Sequence, residues 1–135
     1  MKIPDKRFGF KRFIDSIKYS LQGIYYTYTK EQSLLIHLVI TIILVIMGFT
    51  FNISPGEWLT TIIFLGVIVA LELFNTAIEA VVDLVTTEYN HLAKVAKDCS
   101  SAAVFLATLG GLIAFIIVYA PKIMELLSWK VDLSV

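Results

Sequence analysis

The sequence predicts an all-α integral membrane protein: three transmembrane helices, preceded by an N-terminal amphipathic helix lying on the membrane surface. Three observations predict it. The 135-residue chain is 58% hydrophobic, and its mean hydropathy of +0.82 is far above that of soluble proteins. Three long apolar runs divide the chain. Its eleven Lys and Arg balance eleven Asp and Glu, yet seven of the basic residues fall within residues 1–30, and that asymmetry carries more information than the zero sum. The length suits one domain, residues 1–135.

Taken in order, the first element is the surface helix, about residues 8–28. Phe10, Phe13, Ile14, Ile17, Leu21, Ile24, Tyr25 and Tyr28 recur at helical spacing, with Lys11, Arg12, Asp15, Lys18 and Gln22 largely opposite. Such a helix suits the inner leaflet surface. The basic N-terminus has no apolar run of its own that could serve as a signal peptide. The first span, about 32–51, contains "LLIHLVITIILVIMGFTF", in which His37 is the only titratable residue. His37 is read as an interface residue near the helix start. The second span, about 58–85, opens with fourteen uncharged residues, "WLTTIIFLGVIVAL", and continues through Glu72. The third, about 93–120, carries no Asp, Glu, Lys or Arg from Cys99 to Ala120, and Pro121 stands where it is expected to end. Each run approaches the roughly 20 residues a span requires.

Basic residues orient the spans. "NISPGE", between spans one and two, has none, and Pro55–Gly56 punctuates that turn; the link between spans two and three holds Lys94 and Lys97. The N-terminus and the second link are therefore cytoplasmic, in the inner (cytoplasmic) membrane of the cell. There is no long repeat or low-complexity stretch. The single cysteine, Cys99, excludes an intrachain disulfide and reads as a small packing residue. Trp58 and Tyr119 read as an interfacial aromatic belt. Ser100, Ala103, Ala107, Gly110 and Ala114 form a small-residue stripe that suits close helix packing within or between chains.

The chemistry concentrates in "ELFNTAIEAVVD". At 100° per residue, Glu72, Asn75, Thr76, Glu79 and Asp83 share an arc of about 100° and run about 16 Å along the helix. Carboxylates crowded in low dielectric repel and take up protons. A divalent cation such as Mg²⁺ resolves that, and so does a proton relay; spacing alone leaves both open. Lys94, Lys97, Asp98 and Ser101 share a face of the next helix, where lysines suit a polyphosphate or simply an interface. There is no G-x-x-x-x-G-K-[ST] loop and no G-x-G-x-x-G, so any nucleotide site is built from helix faces.

Residues 70–104, "ALELFNTAIEAVVDLVTTEYNHLAKVAKDCSSAAV", closely resemble the signature of the prokaryotic diacylglycerol kinase / undecaprenol kinase family, E-x-x-N-[ST]-A-I-E-x-x-V-D followed by A-K-D-x-x-[SAG]-A-A-V. "GFKRF", "KYSLQG" and Glu31 extend the resemblance more sparsely. It implies a homotrimer with sites shared between chains, and transfer of the γ-phosphate of MgATP to a membrane lipid hydroxyl at the cytoplasmic face. The family's roles, carried to matching positions, make Glu72 the catalytic base and Asn75 the amide beside it. Glu31 and Glu79 match Mg²⁺ ligands, and Lys97 and Asp98 an ATP-contacting pair. Arg12, Tyr19, Glu88, Tyr89 and Asn90 match further ATP contacts, although the loop "TTEYNH" lacks a proline that some relatives carry. His37 occupies a position that is His or an acid in the family, and with "ALELFNTAIE" it resembles the Gram-positive type. That favours undecaprenol as acceptor, giving undecaprenyl phosphate, over diacylglycerol, giving phosphatidic acid. No nucleic-acid partner is expected. A small proton-coupled transporter is the more distant alternative; it is disfavoured because the carboxylates gather at one end of the span beside Lys97–Asp98 rather than at the midplane. A non-catalytic scaffold leaves the polar stripe unexplained.

Overall fold

The computed structural model describes residues 9–132, in four helices: α1 (Phe10–Lys30), α2 (Gln32–Thr50), α3 (Pro55–Val85) and α4 (His91–Asp132). Phe8, the expected start of the surface helix, and both ends of the 1–135 domain lie outside these residues. α2, α3 and residues His91–Ser128 of α4 are each long and apolar enough to cross a membrane. Their apolar side chains are mostly exposed in the single chain, Ile46, Phe49, Ile62, Phe105 and Ile117 among them, so lipid or further protein must cover them. The chain is a multi-pass membrane protein.

Single residues set the helix boundaries. Glu31 separates α1 from α2: its backbone is extended (φ −104°, ψ 115°) and its N–H donates to Thr27 O at 2.8 Å. Its side chain makes no cap hydrogen bond. Asn52 takes the left-handed conformation (φ 47°) that turns the chain after α2, a region Asn tolerates. Ser54 and Glu57 then form a reciprocal capping box, with Ser54 N donating to Glu57 Oε2 at 2.6 Å and Glu57 N to Ser54 Oγ at 3.3 Å. Pro55 thus opens α3 rather than sitting in a loop.

The expected stop at Pro121 is corrected: α4 runs through it to Asp132. A mid-helix proline removes one N–H and crowds the preceding turn. Here both flanks are held. Val118 and Tyr119 are buried with Leu44 and Ile53 just before it, and Lys122 Nζ lies 3.3 Å from Glu57 Oε1 just after it. Tyr119 also departs from the expected belt. It is 3% exposed, and its hydroxyl donates to Leu44 O at 3.1 Å beside Thr61 Oγ1, because a buried phenol must find a partner. Cys99, expected in packing, is exposed in the single chain.

α3 and α4 pair most extensively, with α2 against α3 and α1 against both α2 and α3. Gly110 and Gly111 face Phe64 and Ile68 of α3, so that end of the small-residue stripe serves packing within the chain. Gly48 is tighter still: a Cβ there would lie 2.7 Å from the Trp58 ring, which packs tilted against Phe49 with the ring centroids 5.0 Å apart. Gly48→Ala is therefore expected to destabilise by about 1–3 kcal/mol, the usual cost of overpacking. Thermal unfolding in detergent checks this, and an unchanged midpoint contradicts it.

Candidate active site

The stripe on α3 is not one open row of competing carboxylates. Its members turn to different neighbours and each finds its own partner. Glu72, 5% exposed, faces α2, where His37 Nε2 lies 3.3 Å from Glu72 Oε1. His37, expected as an interface residue near the helix start, thus also faces Glu72. It lies on the inward line of α2 with Leu34 and Leu44, both buried, at helical spacings. The hydroxyl of Thr76 donates to Glu72 O at 3.1 Å, so this stripe member is engaged by its own backbone.

One turn on, Asn75 faces α4. Ser100 Oγ lies 2.6 Å from Asn75 Oδ1 and 2.9 Å from Lys97 O, and Asn75 Nδ2 donates to Glu79 Oε1 at 3.4 Å. A further turn on, Lys97 Nζ pairs with Asp83 Oδ1 at 2.6 Å. Lys94 pairs with Asp98 on the same helix. Lys97 and Asp98, neighbours in sequence, thus each hold a different partner. Such exposed pairs hold weakly, so a phosphate can take over the ammonium groups. Glu79 and Glu31, both half-buried, are in no ion pair among the described residues.

The α3–α4 turn closes this end. Thr86 and Glu88 bond to each other through the Thr86 hydroxyl, and Asn90 Oδ1 caps α4 by accepting from Leu92 N at 2.9 Å and Ala93 N at 3.3 Å. An open pocket of about 290 Å³ results, lined by Asp83, Glu88, Tyr89, Asn90, Lys94, Lys97 and Asp98 with their neighbours. Five expected nucleotide contacts therefore meet at one place. Arg12 and Tyr19, exposed on α1, and Glu31, at the α1–α2 break, do not line it. Among the described residues no three His, Cys, Asp or Glu side chains gather into a metal cluster.

Sequence reasoning missed three partners: His37 for Glu72, Asp83 for Lys97, and Ser100 for Asn75. The signal for His37 was its inward register with Leu34. Pairing across the α3–α4 turn has no such signal, because helix spacing says nothing about which faces meet.

The polar column of α3, ending at a lysine-bearing pocket, lies wholly within residues 18–119, which match the family model for prokaryotic diacylglycerol kinase. The chain belongs to this family. Its relatives include undecaprenol kinase from Bacillus subtilis, 33% identical over 91% of this chain and 100% of that protein. Diacylglycerol kinase from Pseudomonas aeruginosa is 35% identical over 73% of this chain and 80% of that one. The Haemophilus influenzae diacylglycerol kinase is 36% identical over 76% and 86%. As a member of the prokaryotic diacylglycerol kinase family the chain is a lipid kinase, and the kinase family implies ATP as co-substrate.

Proposed function

We propose that the chain transfers the γ-phosphate of MgATP to the hydroxyl of undecaprenol, at the cytoplasmic face of the inner membrane. The observation that carries the reading is the column on α3: a buried carboxylate, Glu72, leads through Asn75 and Glu79 to the Lys97 pocket. A groove of about 420 Å³ runs between α1 and α3 past Leu73, Thr76, Ala77 and Ala80. Its apolar lining, one turn from Glu72, suits a lipid tail.

Glu72 takes the hydroxyl proton as the lipid oxygen forms its bond to the γ-phosphorus and the bond to ADP breaks. Asn75, fixed by Ser100, holds the amide next to that centre. Lys97 leaves Asp83 for the phosphates. Asp98, Glu88, Tyr89 and Asn90 surround the nucleotide, with Arg12 and Tyr19 supplied from α1. Glu31 and Glu79 suit Mg²⁺: they are half-buried carboxylates without a cationic partner among the described residues, and Mg²⁺ characteristically takes one or two carboxylates plus substrate phosphates. The ion neutralises phosphate charge; everything else here is positioning by the chain. Because Arg12, Tyr19 and Glu31 do not line the pocket of their own chain, and the spans leave wide apolar faces, a homotrimer with shared sites is favoured. α1, with Phe10, Phe13 and Leu21 exposed, suits the inner leaflet surface.

The acceptor follows the Bacillus subtilis relative, whose whole length aligns. Diacylglycerol is the second reading, favoured by the two other relatives. Purified protein given [γ-³²P]ATP, Mg²⁺ and each lipid in the same mixed micelles is expected to label undecaprenol with the higher kcat/KM. A tenfold advantage for diacylglycerol reverses the assignment, and no labelled lipid from folded protein overturns the kinase reading.

A further inference from the structure

We infer that His37 is a positioning residue for the reaction: its Nε2, 3.3 Å from Glu72 Oε1, steadies that carboxylate and leaves Oε2 to meet the acceptor hydroxyl. This rests on the proposed role of Glu72 as base. Glu72 has little contact with solvent, its side chain being 6% exposed, and that of His37 is 13% exposed. A buried carboxylate needs a donor, since leaving it unpartnered costs far more than a good hydrogen bond returns. Among the described residues His37 is the only ion-pair partner of Glu72. Thr76 spends its hydroxyl on the Glu72 backbone, Lys97 is held by Asp83 and Lys94 by Asp98. Among the described residues no ion pair joins a charged side chain of α1 to either residue, although α1 packs on both α2 and α3.

The imidazole is itself well anchored. Leu34, fully buried one turn before it, and Leu44 two turns after it fix the rotation of α2. With Oε1 engaged at 3.3 Å, the carboxylate cannot swing freely, and a base held in one orientation reacts faster than one that samples several.

The test is kinetic, on the full-length protein in lipid micelles. His37→Leu removes the donor and keeps an apolar, helix-compatible side chain; His37→Gln keeps an N–H donor without the ring. His37→Leu is expected to lower kcat about tenfold with KM for ATP within about twofold, the signature of an interaction made in the transition state alone. His37→Gln recovers to within about threefold of wild type. In a Glu72→Gln background, His37→Leu changes the residual rate by less than about twofold, because a residue acting only through Glu72 has nothing left to act on. A full tenfold loss repeated in that background, or equal losses in His37→Leu and His37→Gln, overturns the inference. A fully active Glu72→Gln protein overturns instead the assignment of the base. If His37→Leu does not fold, His37→Met, unbranched and equally without a donor, takes its place in every comparison.

Discussion

Glu72→Gln is expected to bind MgATP almost normally and to turn over about 10²–10⁴-fold more slowly, the range that loss of a general base removes. Glutamine has nearly the same volume, so the 5% exposed position stays filled. Its carbonyl can take the place of Oε1 beside His37, so that contact is kept and assembly is preserved. Only the capacity to take a proton disappears. Glu72 lies away from the nucleotide pocket, whose lining begins at Val82, so calorimetric titration of MgATP is expected to give an affinity close to wild type while initial rates collapse. Lost nucleotide binding with intact turnover of the bound fraction would assign Glu72 to the nucleotide instead.

Glu79→Gln is expected to fail in the opposite way. MgATP affinity falls by about tenfold or more, consistent with losing an interaction to a charged group worth about 1.5–3 kcal/mol, and raising Mg²⁺ restores part of the rate. Its contact with Asn75 Nδ2 at 3.4 Å survives, because glutamine keeps a carbonyl oxygen to accept it. The column through Ser100 therefore stands, and the lost charge is the sole change. Initial rates over a Mg²⁺ series alongside calorimetry separate this from Glu72→Gln. A Glu79→Gln protein with wild-type affinity and no response to Mg²⁺ removes Glu79 from the ion. If neither substitution alters activity, the column serves packing.

Much of the fold was legible because it depends on quantities that run along the chain. Helices α2 and α3 begin and end within three residues of the expected spans, since apolar length alone decides what crosses a bilayer. The position of α1 in the chain follows from its period. The end of α4 was misread because the rule for proline is local. Glu57 and Lys122 are 65 residues apart, and their ion pair, with the burial of Val118 and Tyr119 against Leu44 and Ile53, lies where the local rule cannot see it.

The site divides in the same way. The sequence by itself determined which side chains can do chemistry: Glu72, Asn75, Glu79 and Asp83 share a face because they lie on one helix, and the first half of the family motif lies on that single element. Only the tertiary structure decided their partners. Glu72 meets His37 from α2, Asn75 meets Ser100 from α4, and Asp83 meets Lys97. Partner choice depends on the rotation of each helix about its axis. That rotation is set by the collective packing of residues such as Gly48 against Trp58 and Gly111 against Ile68. Burial acts on all of these contacts together, so the helical period of one segment cannot state which neighbour its polar face will meet.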